Sequence, residues 1–395
     1  METINELNTP CFILDPKELE RSVCGFQEAL NTNFRNAIVG YSVKTNSVPF
    51  SLKCAGKLGT YAEVVSFDEY ELALACGFSK GNIIYNGPLK SKETFLEAIQ
   101  HNAIVNIETK RELLWLNDLP KDKKYNVGLR LNINISQVSP EDADGENDNS
   151  RFGFSDETEE LKDALSFLAQ IDNVELAGLH IHRTTHSRSI RFYKKSIEYA
   201  CTTIKKYDLS IKYLDVGGGF FGIFPNKPTY KQYSDAFYEV LSKYGMQNLC
   251  IIVEPGNALV ASCFTFISEV IDVKHVEKDL WFITTDGSRN DIDPFFRKSS
   301  YLCEIAYGST HRSIAKEQII SGCTCLEYDR MHTLKDRPLL SVGDRIVYNN
   351  VGAYTMCLSP MFIRYIPNIY IQNNDGYKLI REKWSAQEHI AKNKI

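Results

Sequence analysis

The stretch "AIVGYSVKTNS" (37–47) is largely apolar until Lys44 puts an ammonium at the end of a strand-like run. Other strand-like runs carry a polar residue near the same end. Glu63 lies in "TYAEVVS", Asn86 in "NIIYNGP", Arg130 in "NVGLRLNI", and His180 and His182 in "LAGLHIHR". Gly217, Gly218 and Gly219 close "IKYLDVGGG", and Glu254 lies in "CIIVEPG". A lysine desolvated in a pocket loses proton affinity and becomes a nucleophile that can form a Schiff base. Consecutive glycines after a strand offer backbone N–H groups at close range, a phosphate cradle. A carboxylate keeps a heteroaromatic nitrogen protonated, and an imidazole can stack on a flat ring. Each residue alone has a plainer reading: a terminal lysine snorkels to water, a strand histidine packs in a core, and a glycine run makes a turn. As a set they point to pyridoxal 5'-phosphate (PLP).

The elements that must position these residues follow a repeating order. Short β-branched runs at 37–44, 60–66, 82–88, 103–109, 126–133, 176–183, 211–219 and 250–256 alternate with helix-period segments. "SKETFLEAIQHN" opens with Ser91 as a candidate N-cap, and "DETEELKDALSFLAQI" carries acids in its first turn. Eight such units are what a (β/α)8 barrel needs, and parallel strands open their C-terminal ends on one face, where barrel sites lie. A doubly wound sheet is the structural alternative. After Gly256 the rhythm becomes strand-rich, through "FTFISEVIDVKHV", "DLWFITTDGS", "RPLLSVGDRIVYNNVGAYT" and "NIYIQNN". The expected organisation is an N-terminal strand region (1–29), a barrel (30–260) and a β-rich domain (261–395). "SQVSPEDADGENDNS" (136–150) reads as a solvated loop, placed after the fifth strand where it could also close over a site.

Composition narrows the class. The 395 residues are 43% apolar with a formal net charge of -5, so there is no basic footprint for nucleic acid. No apolar window reaches the roughly 20 residues that span a bilayer, and "METINELNTPCFILD" lacks a secretory pattern, so a cytoplasmic protein is expected. Eleven cysteines without CxxC spacing argue against a zinc site or a disulfide framework, and no metal is expected. Cys323 and Cys325 are read on a strand-like stretch.

In order along the chain, these motifs resemble the fold-type III PLP-dependent decarboxylases, the group of ornithine, arginine and diaminopimelate decarboxylases, and are most similar in pattern to the diaminopimelate group. "YSVKTN" is similar to the family's Schiff-base segment, with Lys44 as the lysine, and "AEVVSFDEYELAL" sets Glu63 beside the cofactor. "GLHIHRTTH" implies His182 stacked on the pyridine ring and Thr185 at the phosphate, and "LDVGGGF" implies a phosphate loop through Gly218 and Gly219. "VEPGN" resembles the EPGR turn, giving Glu254 at the pyridine nitrogen, with Gly256 and with Asn257 where the family has arginine. "RFGFS" resembles the SKFG segment. "SGCTCLEYD" resembles the GPTCDxxD segment, which makes Cys325 the catalytic acid lent to a partner's site, and "GAYT" brings Tyr354 to the phosphate.

The resemblance implies a (β/α)8 barrel with a C-terminal β-rich domain, a homodimer with shared active sites, and an N-terminal strand joining the β domain. It also marks departures. Leu326 stands where an acid would hold a distal amino group, and "DGSRNDIDPFF" aligns Asp293 with the arginine that grips a distal carboxylate. Glu327, Asp329 or Asp293 could supply a replacement carboxylate. The expected reaction is decarboxylation at Cα of a specialised amino acid or conjugate from a siderophore, secondary-metabolite or polysaccharide pathway. A racemase is disfavoured because alanine racemases use arginine at the ring nitrogen where Glu254 stands here. A silent regulatory homologue is disfavoured by retention of Lys44, His182 and Glu254.

Overall fold

The computed structural model describes residues 4–145, 148–183, 185–374 and 376–394, with Asn5 through its backbone alone. Two compact units emerge, one from residues 20–259 and the other from the chain up to Leu19 together with the chain from Val260 onward.

After β1 (Cys11–Leu14), the first unit carries β2 (Ala37–Ser42), β3 (Tyr61–Ser66), β4 (Ile83–Leu89), β5 (Ile104–Ile107), β6 (Tyr125–Asn132), the two-residue β7 (Phe154–Ser155), β8 (Val174–Ile181), β9 (Tyr213–Asp215) and β10 (Cys250–Val253). The parallel order β5-β4-β3-β2-β10-β9-β8-β6 closes through a β5–β6 pairing, so eight strands form a barrel, as expected from the alternation. Strand ends match the sequence reading to within a few residues except at β9. That strand stops at Asp215 because Gly217 takes a left-handed φ of 68°, which turns the backbone out of the sheet. Ser66, Ser91, Thr109, Ser189 and Thr229 each accept a backbone N–H at the start of the following helix. Such caps contribute about 1 kcal/mol each.

The barrel interior is layered by the two-residue period of its strands. Ile84, Tyr213 and Ile252 pack with Ile38, Tyr61 and Ile104 in an apolar layer. Two residues further along the same strands stand Gly40, Glu63, Asn86, Asn106, Asp215 and Glu254. The Tyr213 ring reaches across because β8 has a glycine there: a Cβ on Gly178 would sit 2.2 Å from it. The polar residues thus lie above a packed floor, at the end of the barrel where the strands finish.

The second unit is a nine-stranded mixed sheet. It contains β11 (Phe264–Glu277), β12 (Leu280–Thr285), β13 (Cys303–Ala306), β14 (Ile314–Ser321), β15 (Arg330–Pro338), β16 (Arg345–Tyr348), β17 (Asn368–Asn373) and β18 (Gly376–Arg381). Strand β1 lies inside it, antiparallel to β11 and parallel to β17. Phe12 packs on Phe266 with ring centroids 4.9 Å apart, and Leu7, Cys11, Ile13, Ile267 and Tyr370 form a second cluster. Burying one such aromatic contributes about 1.5–3 kcal/mol. Cys323 and Cys325 fall in the turn after β14 and not on a strand, because Asp329 draws the chain into a loop described below. All eleven cysteines are free thiols. Among the described residues no helix is long and apolar enough to cross a membrane.

Candidate active site

Lys44 sits in a single 3-10 turn (Val43–Thr45) directly after β2. Its Nζ donates to Glu63 Oε2 at 2.5 Å, and Ser42 Oγ donates to the same oxygen at 2.7 Å. The lysine side chain is one-third exposed while Glu63 is buried, so the amine stands at the rim of the polar layer with its partner beneath.

Behind this pair an amide relay crosses the barrel. Tyr213 donates its hydroxyl to Asn106 Oδ1 at 2.9 Å, and Asn106 Nδ2 donates to Asn86 Oδ1 at 2.9 Å and to Asp215 Oδ2 at 3.3 Å. Asn86 Nδ2 donates to Glu63 Oε1 at 3.2 Å and, over a very short contact, to Glu254 Oε1. Glu254, Asp215 and His180 bring their donor atoms within 4.8 Å of one another, all buried. Burial and the neighbouring Glu254 push the Asp215 carboxyl well above its ordinary range. Burial would push Glu254 up as well, but His180, Lys44 and Asp215 outweigh it and keep that carboxylate ionised. Among the described residues both ring nitrogens of His180 lack a hydrogen bond, with Nε2 3.5 Å from Glu254 Oε2.

His182 follows β8, its ring parallel to that of His180. Burial, followed by the nearby Arg130 guanidinium, drives its pKa well below the imidazole range. Gly218 N–H donates to its Nδ1 at 3.1 Å, so the neutral ring carries its proton on Nε2. The glycine turn is fitted to this ring. A Cβ on Gly217 would lie 2.6 Å from His182 Nδ1, and one on Gly218 would lie 2.3 Å from the Glu254 carbonyl. Arg130 pairs with Glu108 at 3.1 Å and donates to the His182 carbonyl at 3.1 Å. A cavity of about 490 Å³ lies beside His182, lined by Arg130, Ser150, Arg151, Phe152 and Arg183.

Thr185 is buried and accepts the Arg188 N–H at 3.0 Å, next to Thr184, which lies outside the described residues. Gly256 packs against Thr45, where a Cβ would meet its Oγ1 at 2.2 Å, and Asn257 opens a one-turn helix. Within 136–150, Asp142 accepts from Ser139, Ser187, Ser189 and Arg191, tying this loop to the one after β8. Glu146 and Asn147 of that stretch lie outside the described residues.

A lysine held by a buried acid, a glycine turn no side chain would fit, a neutral histidine and an ionised buried carboxylate suit a phosphorylated pyridine aldehyde. Residues 18–261 match the family model described as "Pyridoxal-dependent decarboxylase, pyridoxal binding domain". The chain belongs to this family. It is a PLP-dependent carboxy-lyase acting on amino acids, and PLP is its cofactor. A diaminopimelate decarboxylase of Methanocaldococcus jannaschii is 26% identical over 99% of this chain and 92% of its own. A probable chloroplastic diaminopimelate decarboxylase of Oryza sativa is 28% identical, covering 93% and 76%. The crystal structure of the M. jannaschii protein superposes with a TM-score of 0.86 at 24% identity, covering 99% of this chain and 93% of the other.

This decarboxylase keeps its remaining candidate residues in the β-rich unit. Cys325 is exposed in the turn after β14 and Leu326 half-buried beside it. Asp329 is buried, and its carboxylate accepts Ser288 Oγ at 3.1 Å, the Arg289 N–H at 2.8 Å and the Thr324 hydroxyl at 2.6 Å. Asp293 is likewise enclosed, taking Arg289 at 2.9 Å, Tyr301 OH at 2.9 Å and two backbone N–H groups. Both carboxylates organise their own loops. Tyr354 is exposed at a left-handed φ of 55°, unusual for a bulky residue.

Sequence reasoning missed Asn106, Asp215 and a wholly buried Lys90–Glu112 pair at 3.1 Å. Asp215 had a readable signal, as the residue two before the first glycine of "DVGGG". Lys90 had none, since an ammonium after a strand usually reaches water.

Proposed function

We propose that this decarboxylase acts on a specialised amino acid or amino-acid conjugate, in a site shared by two copies of the chain. The observation that carries this is the state of the distal-end residues. Leu326 offers no charge, while Asp293 and Asp329 have their carboxylates taken up by internal donors. Diaminopimelate, the substrate in the relatives' names, has a distal amine and carboxylate that these residues do not answer.

Lys44 would carry the cofactor on Nζ, and Glu63 orients that nitrogen and holds its proton when it is displaced. Glu254 would face the pyridine nitrogen, His182 the ring, and Thr185, Gly218, Gly219, Gly256, Asn257 and Tyr354 the phosphate. When bound, PLP supplies an electron sink for the pair left at Cα as CO2 departs. Glu254 favours this by staying ionised. Cys325 of a second copy, or Lys44, returns a proton to Cα. Asn257 offers a neutral contact where an arginine would bring charge, which weakens its hold on phosphate.

The test is CO2 release by PLP-loaded protein from L- and D-amino acids, including ornithine, lysine, arginine, diaminopimelate and acylated or carboxylate-bearing conjugates. Release from a conjugate alone supports the reading. Release from diaminopimelate or a plain diamino acid overturns the specialised substrate and moves the distal-end contact to other residues.

A further inference from the structure

Two buried carboxylates, Glu63 from β3 and Glu254 after β10, each face one hydrogen of a single amide nitrogen, Asn86 Nδ2. Asn86 lies in the middle of β4, is itself buried, and its Oδ1 is already occupied by Asn106 Nδ2 at 2.9 Å. That bond fixes the amide orientation, since an oxygen accepting from Asn106 leaves the –NH2 end facing both acids. The backbone is held as firmly. Gly87 turns the chain at φ 75° just after Asn86, and the buried Lys90 ammonium binds the carbonyls of Gly87 at 2.6 Å and of Asn106 at 3.2 Å. Lys90 thus ties the backbone just after Asn86 to that of Asn106.

We propose that Asn86 is a positioning residue for the reaction: one carboxamide nitrogen links the acid that carries Lys44 to the acid that faces the ring nitrogen, fixing where both stand. The inference rests on the assignment of Lys44 and Glu254 above. Without a donor between them the two carboxylates would share a site, and one would take up a proton. The charged and titratable groups around Asn86 are Glu63 on β3, Glu254 after β10, Asp215 on β9 through Asn106, His180 on β8 against Glu254, and Lys44 beyond Glu63.

The experiment titrates full-length wild type, Asn86→Asp, Asn86→Gln and Asn86→Ala with PLP between pH 6 and pH 8.5, reading affinity and the visible absorbance of the bound cofactor. Asn86→Asp keeps the size and removes both donors. It is expected to bind at least about tenfold more weakly than wild type at pH 8 and to recover towards pH 6, where the added acid is protonated. Asn86→Gln, which keeps the –NH2, should follow the wild-type profile more closely than Asn86→Ala. Asn86→Asp binding like wild type at pH 8 would overturn the inference, as would equal, pH-independent losses in all three variants. Should Asn86→Asp not fold, the Gln–Ala contrast decides: Gln closer to wild type supports the role, and equal losses overturn it. Wild type that takes up no borohydride-sensitive cofactor would instead overturn the functional reading, and this inference with it.

Discussion

Glu63 accepts the Lys44 ammonium at 2.5 Å through one oxygen and the Asn86 amide at 3.2 Å through the other. The acid that orients the amine is therefore itself oriented, and the two substitutions at this pair should differ in kind. Lys44→Ala is expected to lower CO2 release by about a thousandfold or more and to abolish the borohydride-sensitive band. Glu63→Gln should keep the band and lose on the order of ten- to a hundredfold. Paired turnover and absorbance measurements check both.

His182 contributes a neutral face and no proton near physiological pH. His182→Ala should weaken PLP binding by roughly three- to tenfold, since a stacking contact contributes about 0.5–1.5 kcal/mol beyond area burial. His182→Phe should restore most of this in equilibrium dialysis, because the interaction is with the ring and not with a charge.

Lys90 and Glu112 are both wholly buried, and burial lowers the lysine's pKa even with Glu112 and Glu108 nearby. Removing one partner leaves the other charge buried alone, at a cost of about 3–5 kcal/mol. Lys90→Met should lower the Tm by roughly 10 °C, and adding Glu112→Leu should recover much of it. Thermal melts of the single and double variants decide this.

Asp142 is held down to about 2: burial opposes its charge, and Ser139, Ser187, Arg191 and Ser189 more than offset it. A depressed acid adds stability that is present above its unfolded pKa, near 3.9, and is lost as pH falls through the folded value. Asp142→Asn should thus cost about 2 kcal/mol at pH 7, with the gap to wild type closing between pH 4 and pH 2. Urea unfolding at several pH values measures it.

If Cys325 serves the site of a second copy, two inactive proteins can repair each other. Mixing Lys44→Ala with Cys325→Ala should regenerate roughly a quarter of wild-type turnover, because half of the dimers formed would carry one intact site of two. No recovery on mixing, with dimers formed, would place Cys325 in its own chain's site or outside catalysis.

The barrel was legible because its eight strands announce themselves by β-branched runs and its helices by caps such as Ser91, which accepts the Thr94 N–H as its position suggests. Lys44 and Glu254 stood out because a charge is costly at the end of a buried run. The supporting layer was less visible. Asn106 and Asp215 look like ordinary polar strand residues until closure of the barrel brings β5 beside β6 and β9 beside β10. In the β-rich unit, β15 exposes Arg330, Thr333, Lys335, Asp336 and Arg337, too many polar positions for the alternation to mark it, and β13 is only four residues long.

Strand β1 is encoded some 250 and 350 residues before its two neighbours, β11 and β17. On the ribosome it must wait, unpaired and apolar, while the contiguous barrel segment emerges and folds ahead of it. The order of assembly is therefore written into the order of the segments: barrel first, and the sheet closed around β1 only once β11 and β17 have been made.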